Sequence, residues 1–137
     1  MRYLLLTLIT VVGLSTNSGC TNATKRTEQT ANISARGVNV YYFHYSRRCL
    51  TCNAVETVSK SALSELFNNK VNFTSYNLDE ADGESKGKEL EISGQTLLVV
   101  SGETRINLTN EGFMHARNNP EKLKAILKEK IEPLLKQ

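Results

Sequence analysis

The sequence is short of most features that announce a function. Its formal charge is only +3, and residues 20–137 carry 16 basic against 14 acidic side chains. Nucleic-acid binders present a clear basic excess on one face, so this balance argues against a nucleic-acid partner and for a solvated surface of mixed sign. The apolar run from Tyr3 to Leu14 is too short to span a bilayer comfortably, which takes roughly 20 residues. No repeat or low-complexity tract appears beyond residue 37. The whole length of 137 residues leaves room for one small domain. Reactive side chains are equally scarce: the two histidines are His44 and His115, and the three cysteines are Cys20, Cys49 and Cys52.

What is present begins with an addressed N-terminus. Arg2 supplies a positive start, the apolar run follows, and the small polar stretch Ser15 to Gly19 leads to Cys20. That order is the plan of a secretory signal peptide over residues 1–19. The ending Ser18-Gly19-Cys20 resembles the bacterial lipobox, although Asn17 stands where the lipobox carries Leu. The resemblance implies a lipid on Cys20, which becomes the mature N-terminus. It also implies a bacterial cell-envelope protein anchored in a membrane and facing the periplasm or the exterior. Cysteine arithmetic agrees, because three cysteines in a secreted chain leave one unpaired and a lipidated Cys20 leaves a pair. Residues 20–37 then read as the lipidated N-terminus and a flexible tether, rich in Thr, Asn, Ser, Lys and Gln. As a coil, the tether reaches roughly 20–25 Å from the membrane. The Asn-x-Ser/Thr triplets at Asn22, Asn32, Asn72 and Asn107 are taken as chance in a bacterial protein.

Residues 38–137 are expected to form the folded domain. Val38 to Tyr45 is a β-branched and aromatic run with apolar residues on both faces, which predicts a central strand of a covered sheet. From Thr51 to Asn69 the period changes, and Val55, Val58, Ala62 and Leu66 mark an amphipathic helix. A strand is predicted over Val71 to Asp79, and a short helix around residues 85–91. Thr96 to Val100 and Thr104 to Leu108, joined by Ser101-Gly102-Glu103, predict an antiparallel hairpin. Asn119 is a good N-cap and Pro120 suits the first position of a last helix. Its stripe runs Leu123, Ile126, Leu127, Ile131, Leu134 and Leu135, with Pro133 ending regular helix near Glu132. The expected class is α/β, a mixed four-stranded sheet with helices on both faces.

Cys49-Leu50-Thr51-Cys52 falls where the first strand gives way to the first helix. Two intervening residues at a helix start let the sulfurs approach bonding distance with little backbone strain. The first sulfur faces the unpaired N–H groups of the helix end, whose partial positive charge favours thiolate over thiol. Arg47 and Arg48 add two full charges beside it, so Cys49 is expected to ionise below the ordinary thiol value of about 8.5. Cys52, one turn into the helix, is expected to be the more buried. Such a pair exchanges disulfides: the Cys49 thiolate attacks a partner's disulfide, and Cys52 resolves the mixed disulfide.

The C-x-x-C after the first strand, Asn77-Leu78-Asp79 closing the next strand, and Thr96-Leu97-Leu98-Val99-Val100 before a Gly-Glu turn and a terminal helix together resemble the thioredoxin-like family. The resemblance covers nearly all of the folded chain and implies a thioredoxin-like fold and thiol–disulfide oxidoreductase activity, run as a reductase. Catalysis would fall to Cys49 and Cys52, with Arg47, Arg48, Gln95 and Thr96 binding substrate or tuning the site. No cofactor is implied. The partners implied are protein disulfides or dithiols, and a membrane thiol-electron carrier. The chain departs from the family in four ways. Arg48 replaces the Trp before the first Cys, and Leu50-Thr51 fills the dipeptide that is Gly-Pro in thioredoxin itself. Gln95 aligns with the cis-proline, where an ordinary trans bond is expected because a cis bond before a non-proline residue costs roughly 2.5–4 kcal/mol. Phe43 aligns with a buried acid that often assists the second Cys, leaving no evident proton acceptor for Cys52.

Two other readings use the same residues. A C-x-x-C pair can hold copper(I) or half of a tetrahedral zinc site, and His44, Cys49, Cys52 and His115 would complete a set of four. Against that, a histidine within a strand is expected to be a packed, hydrogen-bonded residue, and His115 an ordinary surface or loop residue. The cysteines could instead form a purely structural bond in an adaptor, although an exposed disulfide beside two arginines is easily reduced. Tyr41-Tyr42-Phe43 and Tyr45 are expected to pack. Phe113 and Met114 are expected to be buried rather than to form a docking loop.

Overall fold

The structure, a computed structural model, describes residues 37–136. The predicted signal peptide, the lipidated Cys20 and nearly all of the tether lie outside the described residues. Seven residues, Val38–His44, form strand β1, whose alternate side chains are buried on both faces. Helix α1 spans Leu50–Phe67 and strand β2 spans Val71–Asn77. Helix α2 follows at Ala81–Glu89, then β3 at Thr96–Ser101 and β4 at Thr104–Asn107. Helices α3, Thr109–His115, and α4, Pro120–Ile131, close the fold with a 3-10 turn at Leu134–Lys136.

The sheet order is β2-β1-β3-β4, with β1 parallel to β2 and antiparallel to β3, and with β3 and β4 antiparallel. The expected mixed four-stranded sheet with helices on both faces is therefore present, and β1 is central. The period of two sorts β1 between two cores. Val38, Val40 and Tyr42 join Leu97 and Val99 under α1 and α4, where Val55, Ala62, Leu63, Leu123, Leu127 and Ile131 meet them. Tyr41 and Phe43 join Leu98 and Leu90 on the opposite face, flanked by Tyr76, Leu78 and Ile92. Tyr41, Tyr42 and Phe43 pack as expected, whereas Tyr45 is 37% exposed and is not packed in the core.

The boundaries differ from expectation for identifiable reasons. Helix α1 stops at Phe67 rather than Asn69 because Asn68 and Asn69 both take left-handed backbone, a conformation asparagine tolerates better than most residues. Strand β2 stops at Asn77, two residues short. Helix α2 starts four residues before the expected position. Its buried face is made by Gly83 and Gly87, so no apolar period marked it in the sequence. Gly83 is required there: a Cβ would lie 1.9 Å from the backbone oxygen of Asn77. Helix α3 was not expected at all. Its buried residue is Gly112, where a Cβ would touch Val55 and Leu97 side chains at 3.3 Å. Phe113 packs against the core as expected, whereas Met114 is 65% exposed and is not buried. Pro133 ends α4 as expected, but Leu135 projects to solvent while Leu134 is buried. No helix among the described residues is long and apolar enough to cross a membrane.

Gly83→Ala tests the close approach of α2 to β2. Helix propensity alone favours alanine by about 1 kcal/mol, whereas a clash with backbone that must move costs about 1–3 kcal/mol. Net destabilisation in urea unfolding is the expected result; a stabilised variant would show that the helix does not sit this close.

Candidate functional site

The site lies where the carboxyl end of β1 hands over to α1. Cys49 is the N-cap of α1, with extended backbone (φ −86°, ψ 167°), and its carbonyl accepts the first helical bond from Asn53 N–H at 3.1 Å. Its Sγ accepts from Cys52 N–H at 3.2 Å, so a sulfur takes the place that a serine or aspartate oxygen fills in an ordinary cap. No acidic residue occupies the first turn to offset the helix end. Cys49 and Cys52 are disulfide-bonded, with Cα atoms 5.1 Å apart. Cys49 is exposed and Cys52 is 2% exposed, which is the asymmetry the sequence predicted. Leu50, between them, is 73% exposed.

The loop ahead of Cys49 is pinned at two points. Ser46 N–H donates to Asp79 Oδ2 at 2.7 Å, and Asn77 Nδ2 donates to Ser46 Oγ at 2.9 Å. Leu78 N–H meets the His44 carbonyl at 2.7 Å. The Asn77-Leu78-Asp79 segment at the end of β2 thus holds the approach to the cysteines. On the other side, Tyr45 Oη donates to the Ser93 carbonyl at 3.4 Å, tying the same loop to the residues before β3.

The two arginines separate. Arg47 is exposed and forms no ion pair among the described residues. Arg48 turns back along the helix. Its Nη1 pairs with Glu56 Oε2 at 2.5 Å, its Nη2 donates to the Cys52 carbonyl at 3.3 Å, and its guanidinium lies 5.7 Å from the centre of the Tyr42 ring. The expectation of two uncompensated charges beside Cys49 is corrected: Glu56 neutralises Arg48, and Arg47 alone stays unpaired. Burial pushes the Glu56 carboxyl up, but the hydrogen bond of Arg48, the nearby Ser75 hydroxyl and the Arg48 charge together outweigh it and hold the carboxyl below its ordinary 4.5. Tyr42 moves the other way, because burial raises it against the pull of Arg48. Glu56 was not singled out in the sequence, although it follows Cys52 by four residues on the same helix face.

Gln95, just before β3, reaches the buried sulfur. Its Nε2 donates to Cys52 Sγ at 3.5 Å, and its Oε1 lies 3.8 Å from the same atom. Thr96 is buried opposite Phe43, and its hydroxyl donates to the Gly94 carbonyl at 3.0 Å, fixing the turn that presents Gln95. Phe43 points into the α2-side core at 0% exposure, so the position aligned with a buried acid carries none.

The four-residue metal set is not assembled. Among the described residues no three His, Cys, Asp or Glu side chains converge as a metal site. His44 is half-buried with Nδ1 3.0 Å from the Tyr45 carbonyl, and His115 sits at the end of α3.

No protein-family model matches the sequence, and no curated protein matches it. Solved structures do match the fold. Thioredoxin O2 from Arabidopsis thaliana in its oxidised state shares 20% identity, with 77% of this chain and 89% of that chain covered, at a TM-score of 0.52. The germline-specific thioredoxin Deadhead of Drosophila melanogaster shares 16% identity over 75% of this chain and 89% of that chain, at a TM-score of 0.50. The fold is thioredoxin-like.

The Arg48–Glu56 pair gives a pH test of stability. A carboxyl depressed in the folded state contributes stability that is fully present above the unfolded value near 4.5 and is lost as pH falls through the folded value. Glu56→Gln is expected to be less stable than wild type by about 1 kcal/mol near neutrality, with the gap closing in strong acid. Urea unfolding at both pH values checks this; a gap that does not change with pH would assign the effect to packing.

Proposed function

We propose that the protein is a thiol–disulfide oxidoreductase working outside the cytoplasm, tethered to a membrane by a lipid on Cys20. It exchanges a disulfide between Cys49–Cys52 and partner proteins, running as a reductase supplied by a membrane thiol-electron carrier. The observation that carries the chemistry is the seat of Cys49 Sγ: exposed, at the N-cap of α1, accepting the Cys52 N–H, and bonded to a buried second sulfur. The exposed sulfur can be approached by a partner, and the helix end lowers the cost of its negative charge. The buried sulfur is screened from a bulky partner but bonded to Cys49, which suits it to resolving a mixed disulfide and not to capturing partners. The thioredoxin-like fold supports the same reading. The tether and envelope location rest on the N-terminal sequence pattern.

In a Cys20→Ser background only the two site thiols report. Reduced protein is expected to alkylate at Cys49 with a midpoint below about 8.5. Cys49→Ser should abolish reduction of a test disulfide, and Cys52→Ser should accumulate the mixed disulfide. A Cys49 that alkylates no faster than free cysteine at neutral pH would sink the proposal.

The anchor has its own test. Growing cells fed a labelled fatty acid should label the full chain, and Cys20→Ser should remove both the label and membrane association. Label persisting on Cys20→Ser would overturn the anchor.

A further inference from the structure

We propose that Gln95 is a catalytic residue of this exchange, its side-chain amide managing the charge on Cys52 Sγ in place of an ionisable group. The inference rests on the exchange reading and deepens it. When a partner thiolate attacks Cys49 Sγ, a new S–S bond forms and the Cys49–Cys52 bond breaks, its electron pair leaving on Cys52 as thiolate. In the resolving direction the Cys52 thiol first gives its proton to solvent. Its thiolate then attacks Cys49 Sγ, and the partner's sulfur departs with the electron pair and takes up a proton. Both directions put a negative charge on a sulfur in a residue only 2% exposed, where lost hydration makes ionisation costly.

Among the described residues, the groups around that sulfur leave one candidate to offset the cost. Cys52's own N–H is directed at Cys49 Sγ, and Arg48 reaches the Cys52 carbonyl and is neutralised by Glu56. On β1, His44 bonds the Tyr45 carbonyl, Tyr42 is buried under Arg48, and Phe43 faces the other core. The Gln95 amide remains, at 3.5 Å through Nε2 and 3.8 Å through Oε1. An amide suits both protonation states. Its N–H donates to the thiolate, and after a half-turn its oxygen accepts from the thiol, while the group itself never titrates. Gln95 is held for this task by the Thr96 hydroxyl on Gly94 and by Tyr45 on Ser93. A proline at this position would offer no side-chain donor.

Two measurements test the assignment. In a Cys20→Ser/Cys49→Ser background, where Cys52 is the sole thiol, its thiolate is followed by absorbance against pH. Gln95→Leu should lower the thiolate fraction at neutral pH about tenfold, the loss expected for a hydrogen bond to a charged group. In the two-cysteine protein, the same change should slow resolution of a preformed mixed disulfide about threefold, because the thiolate that remains is the better nucleophile, and should slow it more than the initial attack by Cys49. Gln95→Glu keeps the shape but sets a carboxylate against the thiolate. It too should reduce the thiolate fraction, and this decides the matter should Gln95→Leu not fold. Exchange in the wild type, with both variants matching it in thiolate fraction and in resolution, overturns the Gln95 inference alone. A wild-type protein that exchanges no disulfide overturns the exchange function and Gln95's catalytic role with it.

Discussion

One contact organises the site: the Cys52 N–H donating to Cys49 Sγ across the first turn of α1. A helix leaves its first N–H groups without internal partners, and an N-cap side chain ordinarily satisfies one of them. Here the cap is the reactive atom itself. The same hydrogen bond that completes the helix end places the sulfur at the positive pole and fixes its distance from Cys52. Structure and reactivity therefore meet at one atom, since Cys49 Sγ is at once the cap of α1 and the exposed sulfur of the pair.

That cap works only if the chain enters α1 at a fixed angle, and the sheet supplies the angle. Central strand β1 delivers the loop, the end of β2 holds it through Asp79 and Asn77, and the turn before β3 holds it through Ser93. Because β1 pairs with both β2 and β3, the three strand ends converge where the loop leaves the sheet. Arg48 then fastens the first turn of α1 from the side, bridging the Cys52 carbonyl and Glu56 over the Tyr42 ring. A guanidinium can do this because its planar fork donates in two directions while its face covers an aromatic ring.

Much of this was legible in the sequence, and the exceptions share a cause. Strong periodicity located β1, α1, β3 and α4, and the cysteine spacing located the site. Helices α2 and α3 were displaced or missed because their buried contacts are made by Gly83, Gly87 and Gly112. Residues without side chains leave no apolar period, even where backbone approach is closest. The site shows the same limit. Arg48 reads as one more positive charge beside Cys49 until its partner is known, and Glu56 lies eight positions away across a helix cap. Gln95 could be named only as the residue replacing a proline, because its contact with Cys52 joins elements 43 positions apart.

The two sulfurs thus meet different solutions to one problem. The exposed sulfur can lean on water and a helix end, and the buried one has a neutral amide. Each arrangement favours thiolate, and whatever favours thiolate stabilises the reduced dithiol against the disulfide. Such contacts make the site quicker to react but a weaker electron donor. A protein built this way and working as a reductase needs a supply of electrons from a couple of lower potential, since its own sulfurs are held in the state that gives electrons up less readily. The neutralisation of Arg48 by Glu56 acts in the opposite sense. It withholds one full positive charge from the neighbourhood of Cys49, and so keeps the reduced state from being stabilised further.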